Sequence, residues 1–173
     1  EALERYRSKT RFMNARFVLG YSESQIETFK RYGLSKEKSL KSKIFFDRQT
    51  VDGFNSKKGD YFLVLGSQMI VAKGWHFIPD LLGMNAENDI FFKCIIYKKS
   101  LAQKFIKEHN LESLIAKGKL EIISGLDSHQ DFLKIVAESL AVIIPSNYPT
   151  TGEFTLLESM GLSKPVIAFN VGA

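Results

Sequence analysis

Cysteine is almost missing from this chain, and no apolar run approaches the ~20 residues that a membrane-spanning helix requires. The one thiol, Cys94, excludes an internal disulfide and suits a reducing compartment, so the expected location is cytoplasmic. Glu1-Ala2-Leu3-Glu4 shows neither an initiator methionine nor a signal-peptide pattern, and the sequence reads as an excised fragment. No Gly-x-x-x-x-Gly-Lys-Ser/Thr loop is present, which disfavours P-loop hydrolysis. No Gly-x-Gly-x-x-Gly follows the first regular strand, which disfavours a dinucleotide-dependent dehydrogenase. His76, His109 and His129 lie far apart without metal-ligand spacing, so neither a metal nor another cofactor is expected. Arginine-rich runs and aromatic–basic repeats are lacking as well, and the net charge of +5 is therefore not read as a nucleic-acid signal. Scattered lysine fits a phosphorylated small substrate, and it leaves a peripheral membrane contact open for the full-length protein.

What the chain does have is apolar material, 45% of 173 residues, enough for one sizeable core. Residues 1–16 carry leucine, tyrosine and phenylalanine at helical spacing. A short strand follows over Ala15–Tyr21, then a helix capped by Ser22 or Ser24 and ended by Gly33. Lys43–Phe46 reads as a brief strand and 47–59 as a polar linker. From Asp60 the pattern is regular: strands at 61–66, 90–97, 120–124, 140–145 and 165–169 alternate with helical segments at 73–82, 101–116, 130–139 and 153–162. Such alternation predicts right-handed crossovers and an α/β doubly wound parallel sheet. Ligands of these sheets bind beyond the carboxyl ends of the strands. The loops after Leu65, Tyr97, Ser124, Pro145 and Phe169 are therefore the ones to read.

The fourth crossover, from Pro145 to Met160, is the most informative. A polar loop leads to a helix beginning near Gly152, where free backbone N–H groups favour an anion and glycine permits its close approach. Thr150 and Glu153 also have the spacing of a capping box, which by itself accounts for both residues. Glu158 sits on an otherwise apolar helix, so it either faces solvent or has a partner; periodicity favours solvent. Trp75 reads as core. A lysine at a helix start, as at Lys73, is disfavoured by the dipole unless an anion lies nearby.

Pro145-Ser146 followed by Phe154-Thr155-Leu156-Leu157-Glu158-Ser159-Met160-Gly161-Leu162-Ser163-Lys164-Pro165-Val166-Ile167-Ala168 resembles the donor-binding signature of retaining GT-B glycosyltransferases (group 1, family 4-like). In that family a glutamate, seven residues and a second glutamate precede an Ala-Met and a Gly-x-Pro-Val segment. Asn170-Val171-Gly172-Ala173 resembles its Asp-Val-Gly-Gly loop, and Ser124-Gly125-Leu126-Asp127 its Leu-Gly loop beside the nucleobase. Gly66-Ser67 and Lys73-Gly74 resemble its Gly-Arg and Lys-Gly elements at the diphosphate, with Ser67 in the arginine's place.

The resemblance implies a Rossmann-like C-terminal half of a GT-B fold over 60–173, incomplete at its end, preceded over 1–59 by the last part of an N-terminal domain and a linker. It implies Glu158 at the ribose, and Gly66, Lys73, Thr151, Gly152 and Glu153 at the diphosphate, with Lys98 or Lys99 as auxiliary cations. Thr150 stands where the first glutamate is expected, so donor-sugar recognition departs from the pattern. The expected partners are a nucleotide-sugar donor and, through the N-terminal domain, a glycan or lipid-linked acceptor. Two rival readings follow from the departures: a non-catalytic GT-B-like module, and another doubly wound enzyme binding a phosphorylated ligand.

Overall fold

The computed structural model describes residues 14–42, 46–65, 71–84, 89–147 and 153–171. They form two compact units, one containing the described residues up to Phe46 with Glu153 and Val171, the other those of 47–148 and 154–170. No described helix is long and apolar enough to cross a membrane.

In the first unit β1 (Val18–Gly20) pairs in parallel with β2 (Ser39–Lys41). Between them runs α1 (Glu23–Arg31), where the Ser22 hydroxyl accepts the Gln25 N–H at 3.1 Å. Gly33, at φ 90°, ends it in the left-handed region. Gly20 is small because α1 needs the room: a Cβ there would meet Ile26 at 2.6 Å. β2 lies earlier than the strand expected at 43–46, most of which falls outside the described residues, as does nearly all of the helix expected over 1–16.

The second unit is one parallel sheet of five strands in the order β5-β4-β3-β6-β7. The strands are β3 (Tyr61–Leu65), β4 (Phe91–Ile95), β5 (Leu120–Ile123), β6 (Ala141–Ile144) and β7 (Val166–Ala168). All five expected strands are present, each within a few residues of its sequence limits. The apolar runs are near-continuous because central strands are covered on both faces. Val64 packs with Trp75, Ile78, Leu82, Phe92, Cys94 and Phe105 on one side, beneath α2 (Ile78–Gly83), α3 (Lys99–Glu108) and α4 (Glu112–Ala116). On the other side lie α5 (His129–Ala137) and α6 (Phe154–Gly161), which contact each other; the Tyr61 hydroxyl donates to the Ile135 carbonyl of α5 at 2.6 Å.

Two helical expectations change. The segment at 101–116 is two helices, separated where Asn110 takes φ 51°. The segment at 73–82 opens as 3-10 turns over Val71–Lys73 and Trp75–Phe77, and only Ile78–Gly83 is α-helical. Lys73 therefore ends a 3-10 turn rather than starting an α-helix, and the dipole argument does not apply to it. Trp75 is core, 4.3 Å from Phe105 between ring centres. Burial pushes the Cys94 thiol up to about 12, so it packs as an inert small apolar group.

Candidate functional site at the carboxyl edge of the sheet

Strand order reverses between β3 and β6: β4 and β5 follow on one flank of β3, β6 and β7 on the other. Such a switch point opens a crevice at the carboxyl ends of the two central strands. The residues lining it begin with the turn after β3. There Gly74 takes φ +69°, and a Cβ on it would stand 1.5 Å from the Pro145 carbonyl oxygen. No side chain fits at that crossing, so the two loops lie backbone to backbone. The Asn147 N–H donates to the Ala72 carbonyl at 3.3 Å. Its carboxamide nitrogen, in the orientation that satisfies it, donates to the Val71 and Ala72 carbonyls at 2.9 and 3.1 Å. Half-buried Lys73 is thus carried on a turn clamped to the loop after β6.

Glu158 lies on α6, whose apolar Phe154 and Met160 are exposed at 58% and 61% while Glu158 and Ser159 are buried. A helix that hides its carboxylate and shows its phenylalanine is inverted relative to ordinary partitioning. The expectation of solvent exposure at Glu158 is therefore corrected: the residue is 7% exposed. Its partner is His129, the first residue of α5, with Nε2 and Oε1 2.9 Å apart. Burial raises the Glu158 carboxyl above its usual range, and the imidazole acts in the opposite sense. The Tyr97 hydroxyl, after β4, is also pushed up, by burial first and then by the Glu158 charge. Tyr97 accepts the Gly125 N–H through its carbonyl at 3.1 Å, tying the loop after β4 to the loop that leads into His129. Gly125, at φ +69°, has the Lys99 stem alongside it. Tyr97, Gly125, His129 and Glu158 thus come together from three different parts of the chain: the loop after β4, the loop leading into α5, and α6.

Of the residues expected to bind the donor, Gly66, Thr150, Thr151 and Gly152 lie outside the described residues, and with Thr150 the capping box. Glu153 immediately precedes α6 and is half-buried; Lys98 and Lys99 are exposed. The sequence does not mark His129 as a functional candidate, because it has no metal-ligand spacing. Its position at the start of the helix after β5 was the available signal. Among the described residues no group of three or more His, Cys, Asp or Glu could hold a metal. A cavity of about 310 Å3 along the ends of β6 and β7, lined by Phe77, Leu81, Ile143, Pro145, Ile167 and Phe169, is mostly apolar, and its charged lining residue, Asp80, would repel a phosphate.

No protein-family model matches the chain, and no curated protein matches it either. Solved structures do. A glycosyltransferase from Rickettsia africae is similar at TM-score 0.73 and 17% identity, over 95% of this chain and 48% of that one. Sucrose-phosphate synthase from Thermosynechococcus elongatus is similar at TM-score 0.73 and 16% identity, over 99% and 45%. HepE of Anabaena, solved with UDP-glucose, is similar at TM-score 0.70 and 15% identity, over 95% and 50%. The chain spans about half the length of these structures. At such identities the likeness is one of fold, and the fold is the Rossmann-like one of the C-terminal half of GT-B glycosyltransferases.

Proposed function

We propose that this chain is the donor-binding part of a retaining glycosyltransferase, which moves a sugar from a nucleoside-diphosphate sugar to an acceptor hydroxyl. The observation that carries the reading is the buried Glu158 carboxylate at the carboxyl edge of a doubly wound sheet. A buried carboxylate is costly unless something repays its desolvation, and a vicinal diol presents two hydroxyl donors to it. Structures of the same fold holding UDP or UDP-glucose support the same assignment. Glu158 holds the ribose; Lys73 and the N–H groups of Thr151, Gly152 and Glu153 receive the diphosphate. The rate gain comes from stabilising charge on the departing diphosphate and from holding donor and acceptor in register. The acceptor, a glycan or a lipid-linked one, is met by other parts of the protein, which works in the cytoplasm or against a membrane surface.

Titration calorimetry against UDP, GDP, ADP and pyrophosphate tests this. One nucleoside diphosphate is expected to bind best. Lys73→Ala should weaken it and pyrophosphate alike; Glu158→Ala should weaken the nucleotide by about ten- to a hundredfold and leave pyrophosphate unchanged. Equal binding of all four ligands would assign the site to some other phosphorylated substrate. No binding to the whole protein would make this a non-catalytic module.

A further inference from the structure

Glu158 gives one carboxylate oxygen, Oε1, to His129. The side chain is only 9% exposed, so rotation away from that bond would bury the charge without a partner. His129 is itself fixed. Its backbone opens α5 behind the Ser128 cap, where the Ser128 hydroxyl accepts the Asp131 N–H at 3.1 Å. Its imidazole stacks on Phe132, 5.5 Å between centres and 23° between planes, and Phe132 is buried. The imidazole meanwhile remains 53% exposed, so burial is not what holds it there. Tyr97 flanks the carboxylate closely enough for the charge of Glu158 to act on its hydroxyl.

We propose that His129 is a positioning residue: by occupying Oε1 it fixes the Glu158 carboxylate so that its second oxygen meets the ribose hydroxyls, giving the site its preference for ribonucleotides over 2′-deoxyribonucleotides. This rests on the donor-binding reading and extends it to a residue that touches Glu158 rather than the ligand. A merely structural ion pair would contribute to stability and leave sugar discrimination untouched.

The test is calorimetry on the whole protein with the best-binding nucleoside diphosphate, its 2′-deoxy counterpart and pyrophosphate, for the wild type, His129→Ala and His129→Gln. The glutamine can place an N–H donor near the position of Nε2. The wild type should prefer the ribonucleotide. His129→Ala should lose about tenfold in ribonucleotide affinity, lose most of that preference and bind pyrophosphate unchanged. His129→Gln should restore most of both. If His129→Ala keeps the wild-type preference, the positioning role is wrong while the donor site stands. If His129→Ala melts earlier but His129→Gln, folded as the wild type, still lacks the preference, the role is also wrong. A wild type that binds the nucleotide without preferring ribose removes this inference and the ribose role of Glu158. A wild type that binds no nucleotide removes the donor-binding reading with it.

Discussion

At the scale of single residues the molecule turns on Glu158. Burial favours its neutral form and His129 its charged one, and burial prevails. The folded chain thus binds this proton more tightly than the unfolded chain. The stability linked to it is full below the ordinary carboxylate range and is lost as pH rises through the raised value. Urea melts at about pH 4 and about pH 8 should therefore show the wild type losing stability relative to Glu158→Gln as pH rises, since glutamine does not titrate. Parallel behaviour of the two proteins would mean that the carboxylate is well solvated after all. Sequence periodicity could not disclose this residue's burial, because the apolar stripe of α6 is the wrong guide: Phe154 and Met160 point outward. Family resemblance marked Glu158, but its partner lies 29 positions away in sequence, and no local pattern links them.

At the scale of elements, the turn after β3 is set by backbone contact at Gly74 together with the Asn147 clamp. Gly74→Ala would place a methyl carbon on the Pro145 carbonyl and force a positive φ on alanine. The strain alone is about 1–3 kcal/mol. The loops must also separate, so a loss above about 2 kcal/mol is expected, with weakened pyrophosphate binding through Lys73. Gly83→Ala is the matched control: it ends α2, and nothing lies within 4 Å of an added Cβ. There alanine should be neutral or stabilise by about 0.5–1 kcal/mol. Equal effects of the two changes in chemical melts would refute the close-approach account. Resemblance marks Lys73-Gly74 in the sequence, whereas periodicity predicts a helix that begins at Lys73. The clamp from Asn147, which holds this stretch in 3-10 turns, is a tertiary contact. The same holds for the division of 101–116 at Asn110, a non-glycine residue in the left-handed region that composition does not announce.

Across the whole molecule, the sheet-bearing unit is closed by long-range ties. Lys164, 7% exposed, donates from Nζ to the Ser139 carbonyl at 2.8 Å and to the Lys57 carbonyl. It thereby joins the turn entering β6, the segment before β3 and the loop before β7. Lys57 and Gly59 lie directly against the end of α5: the Lys57 N–H donates to Ala137 at 3.2 Å, and a Cβ on Gly59 would strike the Glu138 carbonyl. The stretch that reads as a polar linker is thus partly built into the domain. Lys164→Met keeps the stem and leaves two carbonyls without their donor, and should cost about 2 kcal/mol in urea unfolding. An unchanged midpoint would show that water replaces the ammonium without loss.

The five strands, their alternation with helices and hence the parallel sheet are legible in composition and periodicity, because strands buried on both faces must be apolar throughout and crossovers have one hand. The same alternation marks the carboxyl-edge loops as the place for a ligand. Which side chains meet there is a matter of contacts that folding alone creates. Whether Glu158 is buried depends on what α5 sets against it, whether Lys73 sits on a helix depends on the loop after β6, and whether Lys57 belongs to a linker depends on Lys164. Each is a contact between segments far apart in the chain, and its energy appears only when folding has brought them together.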